Sequence, residues 1–382
     1  MDTYCIFSAQ YLPNFGGVEQ YTFNLASTLT RQGNRVIIVT SQINNLPFSE
    51  TQRDGIQIYR IPSFNFVNGR LPMAFFSKQW KILKQLLKKE DISKIIIQTR
   101  LYTLSLMGMK FAHQNGIPFI TIEHGTSYVG MSNPILQTLE IMYEKSLLHI
   151  SKKYCKSFCS VSEAGSKWLQ TLNITSDAIL YNSVDEKRIQ KYISTSSINW
   201  HTKLGLSPDT NIIVFTGRLI REKGICQLIS AFSHLKTQKK IALVVAGDGP
   251  LYENLKSNCP SSVFLLGRIK QADVMSLLNQ SDYFCLPSDS EGFPTSVLEA
   301  IVCKCYVITA PYGGAKEIIS APQYGYVMNN NSEESIYNAL SEVLTMSTSD
   351  LQNVTQNAYQ RFLSHFTWTD TCNTLNSLSW KL

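Results

Sequence analysis

Charge is sparse in this chain. Asp, Glu, Lys and Arg make up 16% of its 382 residues, against 44% hydrophobic, a balance that excludes a disordered segment. Long apolar runs are missing as well: none reaches the ~18 residues of a membrane-spanning helix. The amino terminus enters the strand-like run Tyr4–Phe7 without the basic and apolar regions of a signal peptide, so a cytoplasmic protein is the expectation. The nine cysteines form no metal-ligating pattern. Cys155/Cys159 and Cys303/Cys305 are close pairs, but neither has a second Cys or His pair at zinc spacing, and they read as small buried thiols in a reducing compartment. Also absent are the Gly-x-Gly-x-x-Gly fingerprint and the Walker lysine motif, which removes support from dinucleotide-binding and P-loop readings.

What is present is alternation. In the first half, strands are expected at Tyr4–Ser8, Arg35–Thr40, Ile56–Arg60, Lys94–Gln98, Pro118–Glu123 and Ser157–Ser160. Between them, helices are expected near Val18–Gln32, Phe75–Lys89, Leu104–Asn115, Ile135–Lys153 and Glu163–Thr171. Near-continuous apolar strands separated by helices argue a parallel sheet covered on both faces. Asn182-Ser183-Val184-Asp185 then reads as a turn and Ser194–Asn199 as a polar linker. The pattern restarts with strands at Ile212–Thr216, Ile241–Ala246, Val263–Leu266, Tyr283–Pro287 and Tyr306–Thr309. The expected fold class is α/β, with doubly wound domains over residues 1–188 and 189–365; a last helical stretch within 366–382 is expected to pack back on the first. Residues 1–188 carry 20 Lys+Arg against 13 Asp+Glu, and residues 189–382 carry 15 of each. The whole net charge of +7 thus belongs to the first half, which points to an anionic partner surface there.

In open α/β sheets ligands bind beyond the carboxyl ends of the strands, and the loops there carry the chemistry. Phe15-Gly16-Gly17-Val18-Glu19 joins the first strand to the first helix. Its glycines admit a bound group close to the backbone and the helix start offers dipoles to an anion, although a plain tight turn accounts for it equally well. Glu123-His124-Gly125 ends another strand, where His124 either satisfies the fold or hydrogen-bonds a ligand hydroxyl or a developing charge. Thr216-Gly217-Arg218 and Glu222-Lys223-Gly224 bound a loop that opens a helix; Arg218 can grip a diphosphate bidentately and Lys223 as a point charge. Ala246-Gly247-Asp248-Gly249-Pro250 shapes a turn. The most informative stretch runs from Glu291 through Gly292, Phe293, Pro294 and Thr295 to Glu299. One carboxylate lies in a Gly/Pro loop and the other about two turns into the next helix, at ~3.6 residues per turn. Two acceptor-only groups flanking a donor-rich helix start suit vicinal hydroxyls beside an anion. A sugar nucleotide has both.

In order, Gly16-Gly17-Val18-Glu19, His124-Gly125, Asn182-Ser183-Val184-Asp185, Gly217-Arg218-Leu219, Glu222-Lys223-Gly224, Gly247-Asp248-Gly249-Pro250, Glu291-Gly292-Phe293-Pro294 and Glu299-Ala300 resemble family 4 of the retaining glycosyltransferases. The resemblance runs from Gly16 to about Glu317. It implies the GT-B fold, two Rossmann-like domains facing across a cleft. It further implies that Arg218 and Lys223 hold the donor diphosphate, Glu299 the ribose hydroxyls, and Glu291 a hydroxyl of the donor sugar. Backbone amides of Gly292, Phe293 and Thr295 would add donors, Gly16 and Gly17 would close over the diphosphate, and His124 would lie beside the anomeric carbon. Gly267-Arg268-Ile269 would wall the base. Ser183 stands where the family commonly has Gly.

The implied activity is retaining transfer of a hexose from a nucleotide sugar, a UDP-sugar in preference to a GDP-sugar, to a saccharide or polyprenyl-linked acceptor. The implied setting is assembly of a bacterial surface polysaccharide such as lipopolysaccharide O-antigen, capsule or exopolysaccharide. Arg218, Lys223 and helix amides would stabilise the departing phosphate. The chain has no Asp-x-Asp, and no metal or other cofactor is expected. On the acceptor side, Phe75–Lys89 reads as a basic amphipathic helix. Phe76, Trp80, Leu83 and Leu87 recur at helical spacing, with Lys78, Lys81, Lys88 and Lys89 largely elsewhere. It is either an ordinary cover for the sheet or a peripheral anchor on the anionic inner face of the plasma membrane. A nucleotide-sugar epimerase of the same fold and a non-catalytic sugar-nucleotide sensor are the competing readings. No nucleic-acid partner is expected, because no recognised motif accompanies the basic half.

Overall fold

A computed structural model describes the chain except at residues 14, 15, 44, 45, 67–70, 131, 132 and 382 and the side chains of 65 and 66. Of the motifs above, only Phe15 lies outside the described residues. The chain divides into two compact units, residues 1–182 with 368–382, and residues 183–367.

The first unit contains β1 (Thr3–Ser8), β2 (Arg35–Ser41), β3 (Ser49–Thr51), β4 (Gln57–Ile61), β5 (Ser63–Phe66), β6 (Leu71–Ala74), β7 (Lys94–Gln98), β8 (Phe119–Glu123), β9 (Phe158–Ser160) and β10 (Ser176–Ile179). Eight of these form one sheet in the order β10-β9-β8-β7-β1-β2-β4-β3. All its pairs are parallel except β3 with β4, and β5 and β6 form a separate antiparallel hairpin. The central strands are buried on both faces, which is why they read as unbroken apolar runs. At the carboxyl edge the runs stop: Ser8, Gln98, Glu123 and Ser160 end the adjacent strands β1, β7, β8 and β9, and all four are buried. A row of buried polar groups along one edge is where this unit can do chemistry.

The helix expected over Phe75–Lys89 forms at Lys78–Leu87, capped by the Ser77 hydroxyl, which accepts from the Trp80 amide at 3.1 Å. Its apolar face corrects the anchor reading. Trp80, Leu83 and Leu87 are buried in the core beneath the sheet, and only Phe76 of the four remains exposed, at 72%. An apolar stripe already covering a sheet is not available to a bilayer. No described helix is long and apolar enough to cross a membrane.

The second unit contains β11 (Asn211–Thr216), β12 (Ile241–Ala246), β13 (Val263–Gly267), β14 (Tyr283–Leu286), β15 (Tyr306–Thr309) and β16 (Tyr326–Val327). They are all parallel, in the order β13-β12-β11-β14-β15-β16. That order reverses direction between β11 and β14, and such a switch point is where doubly wound sheets bind ligands. The boundary falls at 182/183 rather than 188/189. Asp185 caps a helix, Glu186–Thr195, by accepting from the Arg188 amide at 3.1 Å, and that helix packs on Gln271–Asn279 of the second unit. At the other end, the helix Trp368–Ser377 belongs to the first unit: Trp368 meets Tyr21 edge-on at 5.2 Å, and Thr371 Oγ1 donates to the Tyr181 carbonyl.

Candidate active site

In the second unit, the loop after β11 carries Gly217, Arg218 and Lys223. The loop after β14 carries Glu291, Gly292 and Phe293 and ends at the helix Thr295–Val302. Because β11 and β14 are neighbours, these loops meet. The Glu222 carbonyl accepts from the Asp289 amide at 2.9 Å and from the Ser288 hydroxyl at 3.1 Å. Stitched in this way, the loops bring the Lys223 ammonium within 2.5 Å of Glu291 Oε1, and both side chains keep part of their surface open to solvent. Arg218 is exposed and forms no ion pair among the described residues.

The loop after β15 seats the same segment. Gly314 N donates to the Gly292 carbonyl at 3.0 Å. Gly313 has φ +60, and a Cβ there would lie 1.8 Å from the Glu291 carbonyl oxygen, so only glycine allows this approach. Phe293 is buried and packs on Phe366, ring centroids 5.6 Å apart. Thr295 opens the helix, and the first amides of any helix lack intrahelical acceptors. Two turns in, Glu299 accepts from Gln271 Nε2 at 3.0 Å. Burial pushes the Glu299 carboxyl up to about 7, against the opposing pulls of Gln271 and Arg188. Gln271 and Arg188 were not foreseen; both come from helices whose packing on Thr295–Val302 no local pattern announces. Arg268, after β13, is exposed, and Gly267 accepts from the Gly247 amide. Ser183 fits its turn because its hydroxyl donates to the Phe366 carbonyl.

In the first unit, Gly16 caps the helix Gly17–Arg31 at the end of the β1 loop. The buried Glu19 side chain folds back on Gly16: a Cβ at Gly16 would lie 2.4 Å from Glu19 Oε2, whereas one at Gly17 would meet nothing within 4 Å. Packing therefore explains glycine at 16 and leaves Gly17 open to an approaching group.

His124 follows β8. Its Nε2 lies 2.7 Å from Gln98 Oε1, the residue ending the adjacent β7, and Tyr21 stands edge-on at 4.7 Å. Burial lowers the His124 pKa to about 3, so the ring is neutral at physiological pH. The Gln98 side-chain amide thus holds one nitrogen of the neutral ring. The contacts with Gln98 and Tyr21 fit the structural role foreseen for His124, and any hydrogen bond it makes to a ligand is that of an uncharged ring.

A buried ion cluster that sequence reasoning missed holds the His124 loop. Glu123 Oε1 accepts from the amides of His124 at 3.2 Å and Gly125 at 3.1 Å, while Oε2 lies 3.3 Å from Arg100 Nε. Arg100 also donates to Glu144 at 2.8 Å, and Glu144 Oε1 accepts from the Val129 amide at 3.0 Å. Burial opposes the Arg100 charge, but Glu123 and Glu144 outweigh it and raise its pKa. Burial and a hydrogen bond with Glu144 raise the Glu140 pKa above the ordinary carboxyl range. The one available signal was the polar run Gln98-Thr99-Arg100 at a strand's carboxyl end.

Two family models match the chain, Glycosyltransferase Family 4 over residues 15–188 and Glycosyl transferases group 1 over residues 196–361. An uncharacterized glycosyltransferase of Methanocaldococcus jannaschii is 24% identical, over 95% of this chain and 94% of its own length. The GPI3 subunit of phosphatidylinositol N-acetylglucosaminyltransferase from Saccharomyces cerevisiae is 24% identical, over 81% of this chain and 68% of its own. Among solved structures, HepE of Anabaena in complex with UDP superposes with a TM-score of 0.75 at 16% identity, covering 99% of this chain and 100% of that one. At that identity the likeness speaks to the fold, which is GT-B.

Proposed function

This chain belongs to the family 4 glycosyltransferases, and from that premise we propose that it moves a hexose from a nucleoside diphosphate sugar to a saccharide or lipid-linked acceptor, with retention at the anomeric carbon. The observation that carries this reading is the Lys223–Glu291 pair, 2.5 Å apart on two mutually hydrogen-bonded loops. A cation for phosphate beside an acceptor-only carboxylate for a hydroxyl matches the junction of a nucleotide sugar, where the diphosphate meets the sugar ring.

Each group then has a role. Arg218, Lys223 and the first amides of the helix Thr295–Val302 stabilise the charge that develops on the departing diphosphate, aided by the backbone of Gly292 and Phe293. Glu291 accepts from the donor sugar and Glu299 from the ribose. Gly16, Gly17 and His124 keep the roles the family resemblance assigns them, His124 as a neutral hydrogen-bonding group. The C1–O bond to phosphate breaks as the acceptor oxygen bonds to C1 on the same face, and the acceptor's proton passes to the departing phosphate. With fixed cations and amides on the leaving group, we assign no metal cofactor.

The solved complex of HepE with UDP supports a UDP-sugar over a GDP-sugar. A relative whose name couples phosphatidylinositol with N-acetylglucosamine transfer supports a lipid-linked acceptor, reached by a peripheral protein at the cytoplasmic face of a membrane. Assignment to bacterial surface polysaccharide assembly rests on the family resemblance alone.

The test is to screen UDP- and GDP-sugars for a rise in the thermal unfolding midpoint, then to follow transfer with a chelator present. A UDP-sugar should raise the midpoint, and transfer should survive chelation. If no nucleotide sugar shifts unfolding, the reading fails. Turnover lost to the chelator and restored by magnesium would overturn the metal-free mechanism, and an epimerised sugar formed without acceptor would favour the epimerase.

A further inference from the structure

The helix Pro134–Tyr154 leaves the carboxyl end of β8 through the His124 loop, so its first turns lie on the same side of the first sheet as His124. Its inward face is buried, and there Glu140 and Glu144 join the Arg100 cluster. Its outward face is unusual for a soluble helix. Ile135 is 72% exposed, Leu136 55%, Leu139 56% and Met142 60%, four large apolar side chains over ~10 Å of helix at 1.5 Å per residue. Scattered exposed apolar residues are ordinary, but a contiguous group marks an interaction surface. Beyond Met142 the outward face turns basic, with Lys145 and Lys153 exposed, and Lys156 follows just past the helix.

Charge selects the occupant. Both carboxylates of this helix point inward, so its solvent face combines apolar side chains with positive charge and presents no acid. That pattern matches an anionic lipid surface: apolar residues enter the headgroup boundary and lysines meet the phosphates. We infer that the outward face of Pro134–Tyr154 is a docking surface for an anionic lipid bilayer, which sets the His124 side of the first unit at the membrane. The inference deepens the lipid-acceptor reading but does not need transfer to be observed, since docking is measured without donor or acceptor.

The experiment is cosedimentation of the full chain with vesicles of phosphatidylcholine, with and without phosphatidylglycerol. The double variant Ile135→Ser/Leu139→Ser should lower partitioning about tenfold. Lys145→Gln and Lys153→Gln should each lower it about fivefold, on the anionic vesicles alone. Because all four sites are exposed, the unfolding midpoint should hold; if the serine pair lowers it, Met142→Gln repeats the test at one exposed site. Unchanged partitioning in the serine pair and in Met142→Gln would overturn the inference. So would binding abolished by Gln at Lys78, Lys81, Lys88 and Lys89 but kept in the serine pair, or a dimer in vesicle-free sedimentation that the serine pair dissociates. Vesicle binding without any sugar transfer would sink the proposed activity and leave the docking surface standing.

Discussion

The two units share one architecture and use charge in opposite ways. In the second, Arg218 stands exposed, and Lys223 pairs with Glu291 where both keep contact with solvent. Glycine and backbone hydrogen bonds shape the loops that carry them, which leaves the charges available to a ligand. In the first, Arg100, Glu123 and Glu144 are buried, and their hydrogen bonds go to one another and to the amides of His124, Gly125 and Val129. Charge there is scaffolding, and the group it presents, His124, is neutral. The difference follows from chemistry. On the proposed reading, the cations of the second unit stay able to reach a diphosphate, whereas His124 is held as an uncharged hydrogen-bonding group.

The contrast can be broken by measurement. The largest effect is expected at Arg100. Replacing it with Ala strands buried carboxylates and should remove about 3–5 kcal/mol of unfolding free energy, while Arg218→Ala should change stability by no more than about 0.5 kcal/mol. Denaturant titration of both variants decides it, and equal losses would erase the distinction. For turnover the order reverses. Arg218→Ala and Lys223→Ala should each lower kcat/KM by about 10²–10³-fold, and near-wild-type values in either would show that the exposed cation does not serve the leaving group.

A smaller effect belongs to pH. His124 has a folded-state pKa of about 3, below the ordinary 6.5, so the folded state binds fewer protons between those values. Its contribution to stability is complete above pH 6.5 and declines as pH falls from 6.5 toward 3. That acid-side slope should be shallower in His124→Gln, and the His124 ring proton should show no titration step between about pH 5 and 8 by NMR. A midpoint near the ordinary value would mean that the ring is solvated and that the first unit does not present a neutral group.

Several of these features could be read along the chain and others could not. Lys94–Gln98 was legible as a strand because burial on both faces leaves an unbroken apolar run. By contrast, β3, β5, β6 and β10 are edge or hairpin strands of three or four residues, too short for such a run. The helix Glu186–Thr195 is not legible because Ile189 is its one buried residue, too faint a period to detect, and the compact units divide ahead of it. The glycine-bounded loops and the Glu291–Glu299 spacing were visible directly. The apolar face of the helix Lys78–Leu87 was visible too, but not what covers it.

By itself, then, the sequence determined the alternating α/β order, the family, and which loops hold reactive side chains, because periodicity, glycine placement and motif spacing are local properties of a chain. Only the tertiary structure decided that Lys223 meets Glu291, that Arg100 lies between Glu123 and Glu144, and which helix turns an apolar face to solvent. Those outcomes depend on the order of strands in a sheet and on which surfaces lose water, and both are settled between residues far apart in the chain.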